Sequence, residues 1–283
     1  MNGVIRVWVN GRTYDSAAPA LSAVDHGLTV GDGVFETCKV VDGRPFALTR
    51  HKERLERSAT GLGLGPVDLS AVDEGIAAVL SQGEPIAFGR LRITVTAGAG
   101  PLGSDRDESP MTYVVTAAPQ EGSAPTTTLA VTPWTRNERA PTAGLKTTSY
   151  ADNVLALGFA RERGAGEAIL ANSRGELCEC TGSNVFVVLG KRVHTPPLSS
   201  GCLAGITRAL TIEWAREAGI EVIEEAMPLG VLRTADEVFI TSSLRDVQAV
   251  SAIDEHVVPA APGPVTATVA QLFADGAARE NDP

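Results

Sequence analysis

The sequence predicts an α+β fold made of two domains, and three observations support this prediction. The chain has 283 residues, roughly twice the length of a common domain. Strand-like and helix-like segments alternate irregularly, without the regular strand–helix–strand repeat of a parallel barrel. A stretch rich in Pro, Gly and Ser, Ala118–Pro125, interrupts the pattern. We therefore expect a smaller domain at 1–118, a linker at 119–125 and a larger domain at 126–283.

The first domain is predicted to hold several strands and one charged helix. The alternation of apolar and polar residues predicts a strand within residues 1–9, before the Asn10–Gly11 turn. The same alternation predicts further strands at 34–41, 89–96 and 111–116. Thr49 is expected to cap a helix that runs through Arg57.

The second domain is predicted to contain two helices among several strands. Apolar residues at helical spacing predict helices at 150–163 and, opened by Gly205, at 205–218. Apolar, β-branched runs predict the strands, which we place at 129–132, 168–171, 184–189, 221–223 and 238–241.

Composition and charge exclude several classes of function. Lys and Arg number 24 against 34 Asp and Glu, so the net charge is −10, which is unfavourable for a nucleic-acid binder. A local group of arginines can still attract an anionic small molecule. No stretch of about 18 apolar residues predicts a membrane span, and the N-terminus lacks the apolar core of a signal peptide.

The cysteines and histidines do not predict a metal site. The four cysteines are Cys38, Cys178, Cys180 and Cys202, and the Cys-x-Cys spacing is too short for the usual zinc pair. The four histidines are scattered along the chain. We expect reduced, partly buried thiols and a cytoplasmic protein.

Two motifs of common enzyme classes fail on their context. Gly98–Gly103 matches the pattern G-x-G-x-x-G, but an acidic, turn-like segment follows it instead of the helix that a dinucleotide site needs. No G-x-S-x-G occurs, which is unfavourable for a serine hydrolase of the α/β type.

Lys146 stands out among the basic residues. The chain has twenty arginines but four lysines, and no other charged residue lies between Arg139 and Asp152 around Lys146. An apolar setting favours a neutral, nucleophilic amine, which an arginine cannot supply. A lysine whose charge simply reaches the surface is the alternative.

Further segments supply groups that suit a phosphate and a pyridine ring. The start of the helix at Gly205-Ile-Thr207 offers free N–H groups, and Thr241-Ser-Ser243 offers hydroxyls. Arg54 adds a cation, and Glu179 precedes a small polar turn. Together with Lys146 they suggest pyridoxal phosphate, although each has an ordinary structural alternative, such as a helix cap or a surface charge.

At these residues the sequence resembles the class IV aminotransferases, the fold type IV pyridoxal-phosphate enzymes. The resemblance spans nearly the whole chain and includes seven segments in the family's order. These are Gly31-Asp-Gly-Val-Phe-Glu-Thr37, His51-Lys-Glu-Arg-Leu55, Leu145-Lys146, Glu167-Ala-Ile-Leu170, Glu179-Cys-Thr-Gly-Ser-Asn-Val-Phe186, Gly205-Ile-Thr-Arg208 and Ile240-Thr-Ser-Ser243.

The resemblance implies a role for each matching residue. Lys146 is expected to be the Schiff-base lysine and to transfer protons, and Glu179 is expected to pair with the ring nitrogen. The phosphate ligands are expected to be Arg54, Ile206, Thr207, Ser242 and Ser243, with Leu203 under the ring. The family fold has two α+β domains with the cofactor in the cleft between them, usually in a homodimer.

Within the family, the resemblance favours 4-amino-4-deoxychorismate lyase, which yields 4-aminobenzoate and pyruvate in folate biosynthesis. The lyases have a threonine like Thr37 near the reacting carbon. D-amino acid aminotransferases have an aromatic hydroxyl at the position of Phe35. They also bind the substrate carboxylate with an arginine and a histidine, whereas the 98–109 loop here contains Arg106 but no histidine. A branched-chain, D-amino acid or amine transaminase is the alternative. The candidates for binding an anionic substrate are Arg92, Arg106 and Arg245.

Overall fold

The computed structural model describes residues 4–283, which form two compact units. The first unit comprises the chain up to residue 122 together with 145–150 and 281–283, and the second comprises 123–144 and 151–280. The break at 122/123 lies inside the linker predicted at 119–125. The division differs from the predicted one because the segment with Lys146 belongs to the first unit, not to the C-terminal one.

The first unit contains a six-stranded antiparallel sheet. Its order is β2-β1-β6-β5-β3-β4. The strands are β1 (Arg6–Val9), β2 (Arg12–Tyr14), β3 (Gly33–Val41), β4 (Arg44–Pro45), β5 (Phe88–Thr96) and β6 (Thr112–Pro119). The predicted strands of this half are thus present; the part of the first prediction at residues 1–3 lies outside the described residues.

Three helices belong to the first unit, and two of them cover one face of its sheet. They are α1 (His26–Thr29), α2 (Leu48–Gly61) and α3 (Leu69–Leu80). Leu55 of α2 and Ile76 of α3 pack with core residues of the strands, such as Val34 and Ile93. This burial of apolar surface is what holds the helices on the sheet.

The cap predicted for the charged helix is wrong. Helix α2 begins at Leu48 after Ala47, whose backbone is in the left-handed region (φ 53°). Thr49 lies inside the first turn, where its N–H and its hydroxyl donate to Asp282 at 2.9 and 2.6 Å. The acceptor thus comes from the far end of the chain, and no local pattern indicates it.

The second unit contains a nine-stranded mixed sheet. Its order is β12-β11-β10-β13-β14-β7-β8-β9, and β15 pairs with β14. The strands are β7 (Thr126–Arg136), β8 (Glu167–Asn172), β9 (Leu177–Cys180), β10 (Asn184–Leu189), β11 (Arg192–Thr195), β12 (Val222–Glu224), β13 (Glu237–Ser242), β14 (Asp246–Ile253) and β15 (His256–Val257).

Both faces of this second sheet are buried. Val185 and Val187 of β10 point into one apolar cluster, whereas Phe186 points into another, where its ring stacks on Phe239 at 4.8 Å. The helices are α4 (Ala151–Glu162), α5 (Ile206–Glu217) and α6 (Pro264–Arg279), with 3₁₀ turns at Leu198–Ser200 and Leu229–Arg233. A strand buried on both faces has few polar residues, which is why the run at 184–189 is almost wholly apolar.

Helices α3 and α6 were not predicted although both have local signals, whereas strand β14 has none. Helix α3 has Asp68 as its N-cap and buries Val72, Ile76 and Val79 at helical spacing. Helix α6 starts with Pro264 in its first turn, which is a common position for proline. Strand β14 carries a polar Gln248 among its buried residues, and tertiary pairing rather than local pattern identifies it.

The cysteines are free and buried, in agreement with the expectation of reduced thiols. Burial raises the pKa of the Cys178 and Cys202 thiols, which favours their neutral form. No group of His, Cys, Asp and Glu suited to a metal ion occurs among residues 4–283. Within the same range, no helix is long and apolar enough to cross a membrane.

Candidate active site

The backbone of Lys146 lies along the start of β3, the strand that begins at the last glycine of the Gly31-Asp-Gly33 motif. The N–H of Phe35 donates to the carbonyl of Lys146 at 2.9 Å, and the N–H of Thr148 donates to the carbonyl of Gly33 at 2.8 Å. Thr147 forms an antiparallel bridge with Val34. A segment far along the chain thus extends the edge of β3 and fixes the backbone of Lys146.

The two glycines of Gly31-Asp-Gly33 allow this close approach. Gly31 has a positive φ of 71°, and its carbonyl accepts from the hydroxyls of Thr148 and Ser149 at 2.8 and 3.0 Å. A Cβ atom on Gly33 would lie 2.8 Å from the carbonyl oxygen of Val95 and 3.1 Å from Thr148 Oγ1. The motif is therefore a docking surface for the lysine segment.

The amine of Lys146 lies beside aromatic rings. Its Nζ is 4.5 Å from the ring centre of Phe35 and 5.8 Å from that of Tyr150, and the two rings pack edge to face. The guanidinium of Arg92 lies 3.8 Å from the same Phe35 ring centre. The two cationic groups therefore share one aromatic neighbour.

Thr37 and Arg92 lie on the same face of the first sheet. They are direct partners in the pairing of β3 with β5, and direct partners point to the same side. Strand alternation places Phe35, Lys39 and Arg90 on that face too, opposite the apolar core formed by residues such as Val34 and Leu91. Burial lowers the pKa of Arg90 and of Arg92. The face therefore carries partly buried positive charge.

Arg54, a predicted phosphate ligand, is paired with a buried carboxylate on the core side of the sheet. Its Nε and Nη2 donate to Glu36 at 2.8 and 2.7 Å, and His51 Nδ1 lies 2.6 Å from Glu36 Oε2. Burial by itself favours a neutral Glu36, but the charges and hydrogen bonds of Arg54 and His51 outweigh it and lower the pKa of Glu36. Burial lowers the pKa of His51.

Arg106, a candidate substrate ligand, is bound to Asp32. Its Nε donates to Asp32 at 2.6 Å, and its guanidinium also binds the carbonyls of Leu62 and Gly63 at the end of α2, at 2.9 and 2.7 Å. Although burial acts in the opposite direction, Arg106 lowers the pKa of Asp32. The geometry gives Arg106 a structural role, because it fastens the 98–109 loop to the start of β3.

In the second unit, Glu179 and Leu203 are in contact. The N–H of Leu203 donates to Glu179 Oε2 at 2.9 Å, and Arg136 Nε lies 3.2 Å from Glu179 Oε1. Glu179 is buried near the end of β9. Its side chain is thus a fixed carboxylate with a cation beside it.

The remaining predicted phosphate ligands lie at the start of α5 and the end of β13. Gly205 is the N-cap of α5 and provides no side-chain cap to the first turn, which contains Ile206 and Thr207. Asn184 connects the two places, because its Nδ2 donates to the carbonyl of Leu203 at 2.9 Å and its backbone pairs with Thr241. Ser242 and Ser243 follow directly after Thr241.

Arg245, the third candidate substrate ligand, also has a carboxylate partner. Its Nη2 lies 3.2 Å from Glu167 Oε2, and its Nη1 donates to Gln248 at 2.6 Å. Glu167 is buried and accepts from the hydroxyl of Thr181 and the N–H of Gly182, both at 2.6 Å. Arg245 thus helps to hold the turn that follows Glu179.

The structure therefore groups the predicted residues in two sets. Lys146, Thr37 and Arg92 form one set in the first unit, and the second unit holds the other, whose members are Glu179, Leu203, Ile206, Thr207, Ser242 and Ser243. Arg54, Arg106 and Arg245 are each bound to a carboxylate. A cavity of about 770 Å³ in the second unit is lined by residues such as Arg163 and His256, and none of the predicted site residues, all of which the structure describes, lines it.

Two carboxylates and one cation that organise these sets were not predicted from the sequence. Glu36 has a recognisable signal, because it occupies a core-facing position in a strand whose other core-facing residues are apolar. Asp32 has no such signal apart from its place in the glycine motif. Arg136 has none, because its partner Glu179 lies 43 positions further along the chain.

The chain matches known proteins over most of its length. Residues 33–253 match the family model described as amino-transferase class IV. A protein of Methanocaldococcus jannaschii, provisionally named a branched-chain-amino-acid aminotransferase, is 35% identical over 90% of both chains. D-alanine aminotransferase of Bacillus licheniformis is 31% identical over 94% of both chains. Aminodeoxychorismate lyase of Bacillus subtilis is 30% identical over 94% of this chain and 93% of the relative.

Solved structures are similar as well. The branched-chain amino acid aminotransferase of Escherichia coli superposes with a TM-score of 0.88 at 27% identity, covering 96% of this chain and 94% of the other. A fold IV transaminase of Curtobacterium pusillum gives 0.82 at 28% identity, covering 95% and 99%. A T.th. branched-chain amino acid aminotransferase, complexed with N-(5'-phosphopyridoxyl)-L-glutamate, gives 0.88 at 26% identity, covering 96% and 93%. The predicted α+β fold of type IV is confirmed.

We predict that Arg54→Met strongly destabilises the protein without its cofactor. The change leaves Glu36 charged and buried without its cationic partner, which costs about 3–5 kcal/mol of the free energy of unfolding. Urea unfolding measures this loss. Arg57→Met, on the exposed side of the same helix, is the control and should change stability by less than about 0.5 kcal/mol. An equally small loss for Arg54→Met would contradict the assignment of Arg54 as the cation that stabilises buried Glu36.

We also predict that Glu36 makes stability depend on pH. Its pKa is lowered in the folded protein from an ordinary value of 4.5, so the unfolded chain binds the proton more readily. The stabilisation is therefore present above about pH 4.5 and is lost as the pH falls further. Urea unfolding between pH 7 and 3 should show a steeper loss for the wild type than for Glu36→Gln; parallel curves would refute the prediction.

Proposed function

Because the chain belongs to the amino-transferase class IV family, whose enzymes use pyridoxal phosphate, we propose that it is a 4-amino-4-deoxychorismate lyase. The products would be 4-aminobenzoate and pyruvate, formed by proton abstraction and elimination. The observation that carries this proposal is the basic sheet face on which Thr37 and Arg92 lie, next to the Phe35 ring that contacts Lys146.

The basic face suits a substrate with more than one carboxylate. Arg90 and Arg92 contribute positive charge there, and among the strand residues of this face in β3 and β5 there is no Asp or Glu. Arg92 is the best candidate for a carboxylate ligand, because its neighbours are the Phe35 ring and Thr94 Oγ1. Arg106 and Arg245 are weaker candidates, because each is already bound to a carboxylate.

The residues present fit the proposed cofactor. The first turn of α5 has no side-chain cap, so Ile206 and Thr207 offer N–H groups to a phosphate, and Ser242 and Ser243 offer hydroxyls. Arg54 would add a further donor from α2 while two of its nitrogens stay bound to Glu36. A neutral Lys146 amine would supply the covalent attachment, Glu179 would bind the ring nitrogen, and Leu203 would pack against the ring.

The proposed roles follow from the chemistry of these groups. Pyridoxal phosphate, when bound, supplies an aldehyde that reacts with amines and a ring that takes up electrons when the amine-bearing carbon loses a proton. Lys146 Nζ would remove that proton from the substrate. The carboxylate of Glu179 would hold a proton on the ring nitrogen. The Thr37 hydroxyl would protonate the leaving enolpyruvyl oxygen, while Arg92 holds a substrate carboxylate.

An aminotransferase is the second candidate. The 35% identity to the Methanocaldococcus jannaschii protein favours it, and the Phe35 and Tyr150 rings beside Lys146 offer an apolar wall for a branched side chain. A branched-chain, D-amino acid or amine transaminase would need a keto acid to complete its cycle, whereas a lyase needs none.

A homodimer and a cytoplasmic location complete the proposal. A second copy would remove exposed apolar side chains from water; these include Leu28 and Leu102 in the first unit and Val154 and Leu155 in the second. The four free cysteines support a reducing compartment.

We predict that pyridoxal phosphate attaches to Lys146. The purified protein should absorb visible light, and borohydride reduction should fix the cofactor on the peptide that contains Lys146, as read by mass spectrometry. Lys146→Ala should abolish this label. Lys52→Ala, which removes the α2 lysine paired with Asp73 of α3, is the matched control and should retain it. A label on Lys39 would refute the assignment.

We predict that 4-amino-4-deoxychorismate is converted to 4-aminobenzoate and pyruvate without added keto acid. Lys146→Ala should be inactive, and Thr37→Val should lower kcat by about 10²-fold, since general acid catalysis contributes roughly 10²–10⁴-fold. Thr116→Val, next to Arg92 on the neighbouring strand, is the control and should keep most activity. Turnover of D-alanine or L-leucine only with pyruvate or 2-oxoglutarate would establish a transaminase instead.

A further inference from the structure

The carboxylate of Glu179 is contacted on both oxygens. Oε2 accepts the N–H of Leu203 at 2.9 Å, and Oε1 lies 3.2 Å from Arg136 Nε. The side chains of Arg136 and Glu179 are 22% and 11% exposed, so water screens this ion pair only in part. The charge of Arg136 therefore favours the ionised form of Glu179.

Arg136 is itself fixed from two sides. It is the last residue of β7, where its backbone pairs with Asn172 of β8. Its Nη1 donates to Asn153 Oδ1 on α4 at 3.2 Å, and Asn153 Nδ2 donates in turn to the carbonyl of Thr181. Since Thr181 lies two residues after Glu179, these contacts close a ring that begins on β9 and ends at the turn directly after it.

The pairing of Arg136 with Glu179 depends on charge more than on an aligned hydrogen bond. Arg136 Nε is buried and has no hydrogen-bond partner among the described residues, although Glu179 Oε1 is within ion-pair distance. The guanidinium places one nitrogen at Glu179 and another at Asn153. A lysine has one nitrogen and would serve one of these two contacts at a time.

We propose that Arg136 is a positioning residue for Glu179: it keeps the carboxylate ionised and oriented so that the carboxylate binds the protonated ring nitrogen of pyridoxal phosphate. The inference rests on the proposed function, in which Glu179 binds that nitrogen. Without Arg136, Glu179 would retain the Leu203 N–H but would lose the neighbouring charge and one of the contacts that orient its carboxylate.

The experiment compares Arg136→Gln with the wild type, Glu179→Gln and the control Arg139→Gln. Arg139 carries the same charge three residues away, and its side chain is 82% exposed. Apoenzyme is titrated with pyridoxal phosphate to obtain Kd, and cofactor labelled with ¹⁵N in the ring reports by NMR whether that nitrogen is protonated. Thermal unfolding of each apoenzyme shows whether the variants fold.

We expect Arg136→Gln to raise the Kd for pyridoxal phosphate about 10-fold. At metal sites, mutating a residue that supports a ligand lowers the affinity by roughly 10–100-fold, and we expect the lower end of that range for Arg136→Gln. Its ¹⁵N signal should move toward that of the unprotonated ring, as in Glu179→Gln, while Arg139→Gln matches the wild type. Arg136→Lys should give a smaller change in the same direction, and it replaces Arg136→Gln if that variant does not fold. The double variant Arg136→Gln/Glu179→Gln should match Glu179→Gln alone, because Arg136 acts through Glu179.

The role of Arg136 would be overturned if its folded variants keep the wild-type Kd and ¹⁵N signal while Glu179→Gln alters the signal. That result would leave the proposed cofactor site intact. If the wild type takes up no pyridoxal phosphate, or if Glu179→Gln leaves the ring nitrogen unchanged, the proposed function itself fails at this residue. A merely structural role for Arg136 would lower the unfolding temperature without moving the ¹⁵N signal.

Discussion

The docking of residues 146–148 along the edge of β3 is the constraint on which the candidate site depends. Two backbone hydrogen bonds and one bridge hold this segment, and the carbonyl of Gly31 accepts two hydroxyls, from Thr148 and the adjacent Ser149. Backbone contacts of this kind fix the position of Lys146 Cα, so the amine needs only its own side-chain torsions to reach the Phe35 ring. Without this docking, a lysine in an irregular loop would be free to move in water.

The same strand serves two purposes because its side chains alternate between the faces of the sheet. One face carries Phe35 and Thr37, which are residues of the candidate site. The other face carries Glu36 between apolar core residues, and α2 supplies His51 and Arg54 to it. A buried carboxylate is costly unless it is paired and hydrogen-bonded, so the position of α2 and the ionisation of Glu36 depend on each other.

In the second unit, carboxylates also determine the local geometry. Glu167 binds the turn that follows Glu179, Glu179 is held by Leu203 and Arg136, and Glu237 accepts the first N–H groups of α6. These acidic groups act at turns and helix starts, where unpaired backbone N–H groups need acceptors. These three carboxylates therefore act as fixed acceptors within the fold of the second unit.

The sequence alone determined the fold class and the main strands, because the alternation of apolar residues reports directly which face of a strand is buried. It also singled out Lys146 and Glu179, the first by its uncharged surroundings and the second through the order of the family's segments. Only the tertiary structure decided which arginines have carboxylate partners. Arg54, Arg106 and Arg136 find Glu36, Asp32 and Glu179 at separations of 18, 74 and 43 residues, and no local pattern encodes a contact of that range. The cap of α2 by Asp282 and the docking of Lys146 on β3 were decided in the same way, because both depend on chain segments that meet only after folding.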